Sequence, residues 1–140
     1  MTDNAGTLAP TPEITELNRP YWDELAAGAL TFQRCKGCGY AWLPVRSECP
    51  QCLANDWGRE RAAGGATLVS WVVYHHAYHP AFAQRLPYVV AVVQLDEGPR
   101  MISNIVGDLA GLHVDQRLAL KIEEESGMAV PRFVPAEAAR

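Results

Sequence analysis

No run of apolar residues in this chain of 140 approaches the length of a membrane-spanning helix. Its first residues, Met1-Thr2-Asp3-Asn4-Ala5-Gly6, lack the basic stretch and apolar core of a secretory leader. Positive charge is scarce: 12 Lys+Arg stand against 16 Asp+Glu, a formal net charge of −4. A phosphate backbone is a poor main partner for such a balance, so nucleic acid is not expected. The chain also lacks a Gly-rich phosphate loop in strand-to-helix context, a glycine-flanked nucleophile and internal repeats, and Ser70 and Ser103 fall inside strand-like stretches. These absences predict a cytoplasmic protein, apart from membranes, with no catalytic set of its own.

Cysteine is sparse but concentrated. Cys35, Cys38, Cys49 and Cys52 are the only four, and they form two Cys-x-x-Cys pairs separated by ten residues. Such a turn aims both thiolates to one side while nearby backbone amides donate to sulfur, so two facing turns build a tetrahedral four-sulfur site. Zinc is the natural occupant; iron accepts the same geometry, and a pair of disulfides is the non-metal alternative. Gly39, just past the second cysteine, suits the left-handed backbone such knuckles need, and Pro50 stiffens the other turn. Four thiolates leave no open coordination position, so the site is expected to be structural. A reducing cytoplasm keeps the thiolates available.

Along the chain, a polar lead over 1–12 is expected to be disordered. Residues 13–29 form a helical segment: Ile14, Leu17, Tyr21, Trp22 and Leu25 recur at helical spacing, with Pro20 in the first turn of a short helix over 20–27 and Gly28 as its stop. Tyr21 and Trp22 either pack on the following domain or face a partner. Residues 30–61 read as a zinc ribbon, with one strand running into Cys35 and another over Tyr40 to Leu43. Ala62-Ala63-Gly64-Gly65 marks the boundary to a second unit over 62–135, and 136–140 is a tail. There, five strands are expected: Ala66 to Tyr74, Tyr88 to Leu95 as an apolar buried run, Arg100 to Val106, Leu118 to Glu124, and Val130 to Val134, which Pro131 places at an edge. One helical turn around Leu109 to Leu112 between the third and fourth completes the count of an OB-fold.

Outside the cysteines, polar candidates are few. His75, His76 and His79 cluster in the long connection from Tyr74 to Pro87, where imidazoles could bind metal, move protons or touch a partner, but no nearby carboxylate or cysteine completes a ligand set. Arg46, between the knuckles, is either solvated or suited to an anion or a partner's carboxylate.

The Tyr-Trp helix ending in Gly, then Phe32-Gln33-Arg34-Cys35-x-x-Cys38-Gly39, Pro44-x-Arg46-x-x-Cys49-Pro50-x-Cys52, Leu86-Pro87-Tyr88 through Leu95-Asp96-Glu97-Gly98-Pro99-Arg100, and Pro131-x-Phe133-x-Pro135 together resemble the acyl-CoA-associated zinc-ribbon/OB-fold family, long catalogued as a domain of unknown function. The resemblance covers about Pro20 to Pro135. It implies a mainly β chain: a short N-terminal helix, a rubredoxin-like ribbon and a five-stranded OB-fold barrel. It further implies a non-catalytic accessory subunit, hetero-oligomeric with a thiolase-like enzyme of acyl-CoA metabolism, sometimes an aldolase or hydratase, whose own residues act on the CoA thioester. Tyr21, Trp22, Arg46 and the three loop histidines then become candidates for contact with CoA or the partner. Two positions depart from the family pattern, Ala66 and Asp115, where members usually carry glycine; both bear on turn geometry. Single-stranded nucleic-acid binding by the barrel and electron transfer by an iron-loaded ribbon are the alternatives from other classes.

Overall fold

The computed structural model describes residues 11–136; the expected disordered lead, apart from Thr11 and Pro12, and all of the tail but Ala136 lie outside them. Helix α1 spans Arg19–Ala26. It begins where Asn18 and Thr15 exchange side-chain-to-backbone hydrogen bonds of 2.7 and 3.1 Å, with Pro20 in the first turn. It ends at Gly28, whose φ of +95° lets Gly28 and Ala29 N–H reach back to Leu25 and Glu24 carbonyls at 2.9 and 2.8 Å.

Three strands make the ribbon: β1 Thr31–Cys35, β2 Ala41–Trp42 and β3 Trp57–Arg61, in the order β2-β1-β3. The third corrects the sequence reading, which gave the ribbon two strands. Trp57-Gly58-Arg59-Glu60-Arg61 has no apolar alternation, and it is strand because β1 offers a full antiparallel ladder, Thr31 opposite Arg61 through Cys35 opposite Trp57.

Five strands then close a barrel: β4 Gly65–Tyr74, β5 Tyr88–Leu95, β6 Arg100–Ile105, β7 Arg117–Glu125 and β8 Met128–Pro135, in the order β4-β5-β6-β8-β7 with β7 returning to β4. This is the expected OB-fold barrel. Three features differ from expectation. Strand β8 is not an edge: it pairs with β7 along its whole length and meets β6 in parallel at Ile105 and Phe133. Pro131 sits where β6 and β8 diverge, and there Ser103 Oγ donates to the Pro131 carbonyl at 2.9 Å in place of a backbone bond. The connection over 106–116 holds turns and no helical turn at Leu109 to Leu112, since Gly107 and Gly111 take φ of +92° and +79°. Finally, β5 is not buried on both faces. Val89, Ala91, Val93 and Leu95 point inward while Val90 and Val92 face out.

The two glycine departures resolve locally. Asp115 itself adopts φ +68°. Beside Ala66, Gly65 is the residue that must lack a side chain, because a Cβ there would strike the Asp96 carboxylate and stand 2.8 Å from Arg117 Nη2. Those two groups are paired bidentately at 2.7 and 2.8 Å.

One apolar core runs through helix, ribbon and barrel, joining Tyr21, Leu25, Leu30 and Phe32 to Leu68, Val93, Ile105 and Phe133. Polar ties reinforce it. Arg34 donates to Glu60 in β3, to the Gly39 carbonyl in the first knuckle and to the Glu97 carbonyl in the β5–β6 turn, at 3.0, 2.9 and 3.2 Å. Arg59 pairs with Glu24 of α1. No helix among the described residues is long and apolar enough to cross a membrane.

Candidate metal centre and surrounding surfaces

Cys35 ends β1 and Cys38 lies before β2, while Cys49 and Cys52 stand on the loop between β2 and β3; the two knuckles face one another. All four Sγ atoms lie within 4.8 Å of each other, with Cys35–Cys52 and Cys38–Cys49 both at 3.6 Å. Sulfurs bound tetrahedrally to zinc stand about 3.8 Å apart, so the geometry fits a metal. In each knuckle the first cysteine is buried and accepts two amides: Gly37 and Cys38 N–H on Cys35, Gln51 and Cys52 N–H on Cys49, between 3.3 and 3.4 Å. The Cys38 amide, opposed by desolvation and aided by the Gly37 amide, draws the Cys35 thiol down to about 7. Gly39 holds φ +80° as its motif requires. Trp42 packs on Cys35 and Cys49 with Ala54 and Trp57, screening the buried thiolates. Among the described residues this is the only cluster of three or more metal-ligating side chains; the loop histidines do not converge on one.

The Arg46 backbone is positioned by a residue that no sequence pattern singles out. Gln33, fully buried in β1, grips the Arg46 backbone from both sides, donating to its carbonyl at 2.7 Å and accepting from its N–H at 2.8 Å. The Arg46 side chain is exposed and makes no ion pair or hydrogen bond among the described residues.

Tyr21 and Trp22 meet edge to face at 5.0 Å. Tyr21 is buried and Trp22 half-buried, and both line a cleft of about 530 Å³ with Leu43, Pro44, Val45 and the outward side of β5 and β6. Burial pushes the Tyr21 phenol up to about 12, so it stays neutral. Val92 and Ile102, the latter 73% exposed, also line the cleft, and Val72 stands on the same outer barrel face opposite Val90.

The connection over 75–87 contains a short 3₁₀ turn, Pro80–Phe82, capped by His79 Nδ1 accepting from Ala81 N–H at 3.0 Å. Its rings form a chain from His76 through Tyr78, Tyr74, Tyr88 and Phe82 to His79, with centroid spacings of 4.7 to 5.9 Å. His75 stands apart, exposed, and Tyr78 is 79% exposed. From Arg61 to Leu95 there is no Asp or Glu, so this loop is acid-free in an acidic chain. Arg85 stacks over Phe82 of the same connection at 5.0 Å and fastens it to the barrel by pairing bidentately with Glu125, which Arg132 also contacts at 2.5 Å.

That clamp has a defined pH window. The Arg85 hydrogen bonds, opposed by desolvation and joined by Arg132, hold the Glu125 carboxyl down to about 2. A depressed carboxyl contributes stability above its ordinary value of 4.5 and loses it as the pH falls through the folded one, so the clamp holds at neutral pH and releases between 4.5 and about 2. The Glu125 side-chain carbon resonance is expected to titrate near the lower figure; a midpoint near 4.5 would remove the clamp. At pH 7, Glu125→Gln should speed tryptic cleavage after Arg85 by roughly two- to fivefold, as suits a partly exposed pair.

With this geometry established, similarity to known proteins becomes decisive. Residues 22–58 match the family described as ChsH2, rubredoxin-like zinc ribbon domain, and residues 59–123 match ChsH2, C-terminal OB-fold domain. The chain belongs to the ChsH2 family. Among relatives of this ChsH2-family chain, the probable enoyl-CoA hydratase alpha subunit of Thermomonospora curvata is 35% identical over 131 residues, covering 92% of the chain and 40% of that protein. A DUF35 domain-containing scaffold protein of Methanocaldococcus jannaschii is 34% identical over 73 residues, 52% of each protein. The chain spans about half the length of the curated relatives it matches, from 40% to 58%. Among solved structures, an Ltp2-ChsH2(DUF35) aldolase chain superposes with a TM-score of 0.77 at 34% identity, over 89% of this chain and 98% of that one. A Sulfolobus solfataricus DUF35-family protein of unknown function gives 0.62 at 16% identity, over 86% of both chains, and shows the shared fold.

Proposed function

We propose that this ChsH2-family chain is a non-catalytic accessory subunit of an acyl-CoA enzyme. It holds zinc structurally through Cys35, Cys38, Cys49 and Cys52, docks on a thiolase-like or aldolase partner, and helps to shape the entrance by which a CoA thioester reaches the partner's active site. The observation that carries this reading is the outward apolar face of β4, β5 and β6, where Val72, Val92 and Ile102 lie beside the Tyr21–Trp22 cleft. Two apolar pairs, Val72–Val90 and Val92–Ile102, stand on that face among Ser70, Asn104 and Arg100, and exposed apolar side chains rimmed by polar ones suit a surface that a partner covers. Its likeness to a scaffold protein, a probable enoyl-CoA hydratase subunit and an aldolase of known structure supports a partner of acyl-CoA chemistry. This face is also unsuited to a nucleic-acid strand: β5 carries no Lys or Arg, and Arg100 is the only one on β6.

Affinity purification of the tagged chain from its own source tests the proposal. A thiolase-like, aldolase or hydratase enzyme retained at fixed stoichiometry, with one equivalent of zinc in a colourless chain, supports it. RNA as the retained partner, no partner, or an iron-loaded chain refutes it. In that complex Arg46→Ala is expected to raise KM for the acyl-CoA roughly three- to tenfold with kcat little changed, as loss of one exposed charge-assisted contact to a phosphate would. An unchanged KM removes Arg46 from the entrance.

A further inference from the structure

We infer that the partner enzyme adds a short, extended, apolar segment of its own chain as an extra strand along the open edge of β6; this rests on the accessory-subunit reading above. The barrel closes weakly at this seam. Strand β6 pairs with β8 at one position, Ile105 opposite Phe133, where Val106 N–H donates to the Phe133 carbonyl at 2.9 Å. The next rung of a parallel ladder would bring a Pro131 N–H to the Ile102 carbonyl, and proline has none. The Pro131 carbonyl is taken by the Ser103 hydroxyl. On the other side, Leu95 N–H donates to the Pro99 carbonyl at 2.9 Å, so the odd-numbered residues of β6 are the ones bonded to β5. The N–H and C=O of Arg100 and Ile102 therefore point away from β5, and among the described residues no strand meets them.

The cleft of about 530 Å³ runs along this edge. It touches every residue from Arg100 to Asn104, although Met101 and Ser103 turn their side chains into the barrel and are buried. A cleft that reaches residues of both facings lies against the main chain. Its opposite wall holds Trp22, Leu43 and Val45, and Arg100 is the only charged residue among the described ones that line it. This combination selects the occupant. An acyl chain would fill the cleft but cover the main-chain N–H and C=O groups without bonding them, which is costly. An extended polypeptide supplies donors and acceptors at the strand repeat and sets alternate side chains against the apolar wall. Val92 and Ile102 belong both to this cleft and to the outward face assigned to the partner, so the partner is the source of the segment.

Residue-resolved amide hydrogen exchange, on the chain alone and on the complex purified from its own source, tests the inference. Ile102 N–H is expected to exchange freely in the chain alone and roughly a hundredfold or more slowly in the complex, while Met101 N–H, bonded to β5, is protected in both. Ile102→Pro removes that N–H and no bond to β5, and should weaken partner binding by roughly tenfold or more. Ile102→Val keeps the N–H and a branched apolar side chain, and should change binding by less than about threefold. If Ile102→Pro fails to fold, the exchange comparison decides alone. Equal exchange of Ile102 N–H in the complex and in the free chain overturns the inference and leaves the accessory-subunit reading standing. Protection already present in the chain alone, from its own residues or a second copy, overturns it too, as does protection conferred by an acyl-CoA without the partner. A chain that retains no protein partner removes both readings.

Discussion

Replacing Cys49 by Ser is expected to abolish stoichiometric metal binding and to lower the thermal midpoint by roughly 10 °C or more, the shift that a loss of about 3 kcal/mol or more produces in a chain of this size. Cys49 is fully buried against Trp42 and accepts two amides that no longer meet a thiolate after the change. The damage should reach past the sulfur. The loop between the knuckles carries Arg46, gripped by Gln33, and the Ser47 carbonyl, which accepts from Trp57 Nε1 at 2.9 Å. Metal analysis and thermal unfolding check the prediction together. Full metal content with a midpoint within a few degrees of wild type would mean that three cysteines suffice. The exposed ligand Cys52 gives a graded comparison, since Cys52→Ser removes a thiolate without burying a hydroxyl.

Phe32→Ala is expected to destabilise the chain by about 3–5 kcal/mol, the usual result of emptying a large, well-packed site. Phe32 is 1% exposed and lies in the cluster that joins α1 and β1 to the barrel. The informative quantity is cooperativity. Trp42 and Trp57 report on the ribbon and Trp71 on the barrel, so denaturant unfolding followed by single-tryptophan variants should give coincident transitions in wild type and in Phe32→Ala alike. A ribbon transition that separates from the barrel transition would show that the shared core does not couple them.

Much of this was legible in the residues. The metal-suited site is so because thiolate ligation is local: two short turns and a ten-residue spacer fix it whatever the rest of the chain does. The helix end at Gly28 and the five barrel strands follow from backbone chemistry and alternation that act over a few residues. What escaped depends on partners distant in sequence. Trp57 to Arg61 carries no strand signal and becomes β3 because β1 lies beside it. Leu109 and Leu112 have helical spacing, yet two left-handed glycines flank and interrupt them. The apolar run of β5 reads as burial on both faces, whereas its outward half is only partly buried. Pro131 lacks an N–H and so reads as an edge, but the strand is paired on both sides, and the Ser103 hydroxyl donates to the Pro131 carbonyl where β6 and β8 diverge. At the surfaces, Arg46 and the histidines could be singled out by type, while Gln33 and the Arg85–Glu125 clamp emerged only from burial and contact. A glutamine in a strand gives no sign of which backbone it holds.

The core shared between the two matched domains has a consequence for inheritance. A recombination break near residue 59, where one match ends and the other begins, would strip Leu30 and Phe32 from Leu68 and Phe133 and leave each half with an uncovered apolar wall. Only breaks outside helix α1 and strand β8 leave that wall whole. A unit bounded in this way is expected to be inherited entire, its ribbon and barrel sharing one ancestry wherever they are found together.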